Sequence, residues 1–227
     1  MIVTTPPAPG LSAEQIAQFH RDGFVSGMAL LTEAQMAIVR RKFEALERAE
    51  QAADPRRWSD YEYQPWTDRK HALWQWFFAF AMHPSLLASV RSILGPTVLI
   101  RNADVFIKEP GAPQRIWWHV DSTAPPAHAK HMLSAWIAIT DSTVENGCMR
   151  LLRGSHTRPL PPEVKDRSSL SFSKEFAETV DPEQVFMNLL RPGCMSLHGF
   201  RTVHFSGENL TDERRIGFVV RFFSPET

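Results

Sequence analysis

The sequence predicts a mainly β fold with helices, in which an N-terminal helical block packs outside a closed β core. Three observations predict it. Residues 11–95 carry helical periodicity and helix caps. Residues 96–227 break into β-rich runs punctuated by Pro and Gly. Those runs are many and short, the pattern of a sheet that closes to remove its edges, as a jelly roll does. The 227 residues are expected to form one domain, with 1–10 as a loose Pro-rich tail, 11–95 mostly helical and 96–227 as the closed β core, for which a jelly roll is one solution.

The elements follow in order. Ser12-Ala13-Glu14-Gln15 and Thr32-Glu33-Ala34-Gln35 both read as capping boxes, a hydroxyl at the N-cap and Gln at N3. After the second box Met36, Val39, Phe43 and Leu46 recur at helical spacing, opposite Arg40, Arg41, Glu44, Glu47 and Arg48. That helix is expected to stop near Asp54-Pro55, because proline disfavours helix in the residue before it. Tyr61 to Trp66 is aromatic and irregular, and Trp74, Phe77, Phe78 and Phe80 read as a buried helical segment. Pro84 opens a further helix that buries Leu86, Leu87, Val90 and Leu94 and stops at Gly95. Strands are expected at Val98–Lys108, Ala135–Ile139, Met149–Leu152, Met195–Leu197, Thr202–Phe205 and Ile216–Phe223. Leu160 to Pro182 is polar and lacks a period, which marks a functional or mobile loop.

Composition excludes several classes. Lys+Arg and Asp+Glu both number 25, so no net charge favours nucleic acid or an acidic membrane surface. No apolar run reaches the ~18 residues of a membrane span. The N-terminal residues lack the basic and apolar regions of a secretory signal. Cys148 and Cys194 form no Cys-x-x-Cys pair and read as two buried free thiols, which fits a cytoplasmic protein.

His119-Val120-Asp121, with His204 far downstream, carries the chemistry. On a strand, residues i and i+2 share a face, so His119 and Asp121 can aim at one ion while Val120 faces away. Two imidazoles and a carboxylate are the facial set that holds non-haem Fe(II) with positions left open. Ser206 stands at i+2 from His204 and would flank the same wall. In the last strand Ile216, Phe218, Val220 and Phe222 share one face. Arg215, Gly217, Val219 and Arg221 share the other, read as the lumen, with Arg214 pointing outward.

Taken together, Phe106-Ile107-Lys108-Glu109-Pro110, Trp118-His119-Val120-Asp121, Ala135-Trp136-Ile137-Ala138-Ile139, Glu145-Asn146-Gly147-Cys148-Met149, Gly154-Ser155-His156, Pro192-Gly193, Leu197-His198, His204 to Asn209 and Arg214-Arg215 resemble the phytanoyl-CoA dioxygenase family. The resemblance covers about Leu94 to Ser224. It implies a double-stranded β-helix and an Fe(II)- and 2-oxoglutarate-dependent dioxygenase that consumes O₂. It assigns His119, Asp121 and His204 to the iron. Arg215 matches the arginine that grips the distal carboxylate of 2-oxoglutarate, Ser206 a hydroxyl supporting it, and Trp136 an aromatic beside it. Asn102 is a further polar contact to the cosubstrate. Cys194 and Arg153 depart from the family's pattern at positions away from the metal. The carboxylate at 121, which related halogenases lack, favours hydroxylation.

The expected reaction is hydroxylation of an unactivated C–H bond of a small molecule, with release of succinate and CO₂. Desaturation, cyclisation or demethylation at the same centre, or a metal-binding jelly roll without turnover, are the alternatives. Lys108, Trp118, His131 and Arg221 are expected substrate contacts. Arg101, Arg115, Trp117, His128 and Lys130 are weaker candidates, and surface or core roles compete for each. His198 is a possible further ligand whose position in the family is structural. The oligomeric state is left open.

Overall fold

The computed structural model describes residues 9–53, 72–124, 129–161, 164 and 171–225. The tail, the Asp54-Pro55 stop, Tyr61 to Trp66, His128 and part of the 160–182 stretch lie wholly or partly outside them.

Both capping boxes form. Ser12 Oγ accepts from the Gln15 backbone N–H while Gln15 Oε1 accepts from the Ser12 N–H, opening α1 (Ala13–Asp22). The reciprocal pair between Thr32 and Gln35 opens α2 (Glu33–Ala53). Such caps satisfy backbone donors that have no partner within the helix, and each is worth ~1 kcal/mol. α1 ends at Gly23, whose φ of 88° places it in the left-handed region. α3 (Ala72–Ala81) and α4 (Pro84–Leu94) complete the outer layer. Within α3, Trp76 and Phe80 are buried, but Phe78 is exposed, against expectation. Phe78 lies two positions from each of them, on another side of a 3.6-residue turn.

The N-terminal block is not wholly helical. Phe24–Ala29 forms β1, which pairs antiparallel with β7 (Cys194–Gly199), Phe24 opposite His198 and Val25 opposite Leu197. Its period is broken by a shift of register between Val25 and Met28, where Gly27 has φ 83°. That bulge hides the strand from a reading by alternation.

The remaining strands are β2 (Leu99–Lys108), β3 (Ile116–His119), β4 (Ala129–Ala138), β5 (Met149–Leu152), β6 (Val185–Met187), β8 (His204–Ser206) and β9 (Arg215–Pro225). They form two antiparallel sheets, one ordered β1-β7-β4-β9-β2 and the other β3-β8-β5-β6. This is the jelly roll. β4 begins earlier than expected and takes in His131, and β6 was not foreseen. The described part of 160–182 is structured, with α5 (Lys174–Glu178) and a 3-10 turn from Pro182.

Alternation decides what each face meets. The odd residues Leu133, Ala135 and Ile137 of β4, with the even residues Phe218, Val220 and Phe222 of β9, turn outward into the main core against the helices. Phe80 of α3 stacks on Phe218 with ring centres 5.2 Å apart. Burying a side chain of that size is worth roughly 2–3 kcal/mol. Between the sheets Phe24, Trp136, Ala138, Met149, Leu151 and Val219 form a second cluster. A third, containing Trp118, Val120, Phe172 and Phe205, covers the outer face of the smaller sheet. Arg214 points outward and ties the helical layer to the barrel, bonding both Glu47 of α2 and Glu109. Both cysteines are free, but only Cys148 is fully buried. Among the described residues no helix is long and apolar enough to cross a membrane.

Candidate active site

β3 and β8 run antiparallel with His119 directly opposite His204, their ring centres 3.9 Å apart. Asp121 lies just past the end of β3 rather than on it. Val120 between them turns into the outer cluster as expected. One donor atom from each of His119, Asp121 and His204 comes within 4.8 Å of the others.

The imidazoles are prepared as ligands. Nδ1 of His119 donates to the Trp117 carbonyl at 2.7 Å, and Nδ1 of His204 to the Thr202 carbonyl at 2.9 Å. With Nδ1 protonated, each Nε2 lone pair remains for a metal. Burial holds both histidines below the usual imidazole range, well below for His204, where the neighbouring His119 adds to the effect. They are therefore neutral at physiological pH.

Asp121 is held from both sides. Its Oδ2 accepts from Ser134 Oγ at 2.5 Å and His198 Nε2 at 3.1 Å, and its Oδ1 from Arg221 at 3.2 Å. Burial alone would raise its pKa. The His198 bond and the Arg221 charge overcome that and keep it ionised, well below the usual carboxylate range. Arg221 also bonds Asp104.

On the same cavity, whose walls include Phe106, Ile116, Met149 and Val219, β9 presents Arg215. Its side chain is 2 % exposed, and its guanidinium donates to the Gly147 carbonyl at 2.6 Å and to Ser206 Oγ at 3.2 Å. Ser206 in turn donates to Gly147 at 2.8 Å. The Arg215 Cζ stands 5.7 Å from the Trp136 ring centre. Gly147 has φ 77°, and a Cβ there would meet the Gly207 carbonyl at 2.4 Å, so only glycine delivers this carbonyl to Arg215.

The structure thus brings together His119, Asp121, His204, Arg215, Ser206, Trp136 and Arg221. Four expected contacts lie elsewhere. Asn102 is in register with Arg221, six residues along β9 from Arg215, and donates to Asp104 rather than into the cavity. Lys108 is buried and donates to the carbonyls of Gln114 and Gly207. Trp118, next to His119, falls on the opposite face and packs on Phe205. His131 is exposed and shares the outward parity of Leu133. Arg221 reaches the cavity already paired with Asp104 and Asp121, so it serves the site's own carboxylates rather than a substrate anion. Arg115 likewise pairs with Glu208. Sequence reasoning missed Ser134, although strand alternation from Trp136 places it on the cavity face.

A two-histidine, one-carboxylate set inside a jelly roll, facing a buried arginine, defines the class of non-haem iron dioxygenases that use 2-oxoglutarate and O₂. The comparisons name the family. The profile for "Phytanoyl-CoA dioxygenase (PhyH)" matches residues 19–217, and the chain belongs to that family. It is similar to dioxygenase lolE1 of Epichloe uncinata, 25 % identical over 95 % of this chain and 84 % of that one. It also resembles the ectoine dioxygenase of Halomonas elongata, 28 % identical over 90 % of this chain and 68 % of that one. The non-heme monooxygenase ThoJ, 27 % identical, superposes with a TM-score of 0.75 over 94 % of this chain and 80 % of its own. The share of the curated relatives' length that this chain spans runs from 36 % to 84 %.

The donor set fits iron. Neutral imidazole and carboxylate suit a borderline divalent ion, and the charge of Asp121 is secured without one. The keto diacid fits as well, because the buried guanidinium of Arg215 has the planar fork that a carboxylate matches.

Proposed function

We propose that the protein hydroxylates an unactivated C–H bond of a small-molecule substrate, coupled to conversion of 2-oxoglutarate to succinate and CO₂. The observation that carries this is the meeting of three metal-donor atoms within 4.8 Å on the same cavity as Arg215. His119, Asp121 and His204 would hold the iron, which when bound supplies the activation of O₂.

The chain's own groups do the rest. Neutral His119 and His204 offer lone pairs, and ionised Asp121 offers charge without first losing a proton. Arg215 receives the distal carboxylate of 2-oxoglutarate, with Ser206 supporting it and Trp136 walling the site. Phe106, Ile116, Met149 and Val219 exclude water and present an apolar surface to the substrate. With Arg221 already bound to two carboxylates, a neutral or largely apolar substrate suits this cavity better than an anion.

The test is succinate release with Fe(II) across a panel of neutral small molecules, with mass analysis of the product. A stimulating substrate that gains one oxygen atom supports the reading, and His119→Ala should abolish turnover. A product that loses two hydrogens instead would replace hydroxylation by desaturation. Metal uptake with no decarboxylation under any condition would leave only a binding protein.

A further inference from the structure

Of the four β9 residues turned toward the lumen, Gly217 alone has no side chain. Its φ lies outside the left-handed region, so backbone conformation does not demand glycine there. Space does. A Cβ on Gly217 would lie 2.3 Å from Cζ2 of Trp136, 2.6 Å from Cε2 and 3.1 Å from Cη2. Carbon atoms in ordinary contact stand ~3.5–4.0 Å apart. Register explains the proximity: Trp136 faces Val219 and Ala138 faces Gly217, so Trp136 and Gly217 are diagonal neighbours on one face. The benzo edge of the indole fills the place where a side chain at 217 would be. On the other sides Trp136 is packed within the buried cluster of Ala138, Met149, Leu151 and Val219. Its remaining side borders the cavity.

We propose that Gly217 is a positioning residue for 2-oxoglutarate: lacking a side chain, it seats the indole of Trp136 against β9 and keeps clear the space that Arg215 faces. This rests on the reading of Arg215 as the cosubstrate anchor. A methyl group at 217 drives the ring into that space. His119 and His204 lie on the other sheet and Asp121 just past the end of β3, none of them against Gly217, so the effect falls on cosubstrate binding.

Calorimetric titration of 2-oxoglutarate into Ni(II)-loaded protein tests this without turnover. Overpacking a full site typically costs ~1–3 kcal/mol, so Gly217→Ala should weaken the cosubstrate Kd about tenfold or more, with Ni(II) affinity unchanged. Removing the benzo edge should undo it: Gly217→Ala with Trp136→Phe should bind within about threefold of Trp136→Phe alone, a non-additive pair. A Gly217→Ala Kd within about threefold of wild type, or a double variant as weak as Gly217→Ala, overturns the proposal. If Gly217→Ala is insoluble, the double variant must fold and bind, and its insolubility would equally overturn it. Wild-type protein that takes up Ni(II) but no 2-oxoglutarate overturns the functional reading as well. Normal wild-type binding with an unaffected Gly217→Ala sinks this inference alone.

Discussion

At the scale of single residues, Asp121 concentrates the energetics of the site. A buried carboxylate is costly unless hydrogen-bonded, and three donors on its two oxygens meet that cost while fixing its orientation. Ser134→Ala should therefore weaken Fe(II) or Mn(II) binding by roughly 10–100-fold, as loss of an outer partner of a ligand does. Unchanged metal affinity in a direct titration would refute that role. Arg215→Lys keeps the charge but loses the fork. One charge-assisted hydrogen bond is worth ~1.5–3 kcal/mol, so the 2-oxoglutarate Kd should rise about 10–100-fold while metal binding stays intact. His119, Asp121 and His204 were legible because their spacing carries chemistry, whereas Arg215 was singled out from Arg214 by the family resemblance. Ser134 was not legible, because alternation gives only its face, and a lone hydroxyl acquires a role only through its partner Asp121. Lys108, Trp118 and His131 were expected contacts on residue type, and Asn102 on the family resemblance, whereas parity and register decide where a side chain goes.

At the scale of elements, β9 was read well and β1 missed, for one reason. Strict alternation from Arg215 to Phe222 announces a two-faced strand, while the bulge at Gly27 erases that signal in β1. The neighbouring strand β2 carries a consequence for pH. Burial and, second, the charge of Arg215 lower the Lys108 pKa from 10.5 to about 8. Between those values the unfolded chain binds more protons than the folded one, so stability rises with pH across that window. The contribution is complete above the unfolded value and is lost as pH falls through the folded one. Urea midpoints at pH 7.5 and pH 10 should differ in that sense, and Lys108→Met should flatten the difference. A wild-type midpoint that falls over the interval faster than that of Lys108→Met would contradict this account.

At the scale of the whole molecule, the two sheets contribute different halves of the site. His119, His204 and Ser206 belong to the smaller sheet, Trp136 and Arg215 to the larger. A cosubstrate held at both the metal and Arg215 therefore bridges them. A ligand at about 100 times its Kd stabilises by ~2.7 kcal/mol, which for a chain of this size raises Tm by roughly 5–10 °C. Mn(II) with 2-oxoglutarate should exceed Mn(II) alone in a thermal scan, Arg215→Lys should cut the increment by about half or more, and His119→Ala should remove the whole rise. The adjacent arginines at the entry to β9 bear on how this chain tolerates change in length. Because neighbours on a strand face opposite ways, a single residue inserted or deleted between Arg215 and the paired run that follows it would transpose their duties. The guanidinium meant for Glu47 would enter the barrel, and the one meant for the diacid would end beneath a helix. Viable insertions and deletions at that point in the strand should accordingly come in even numbers.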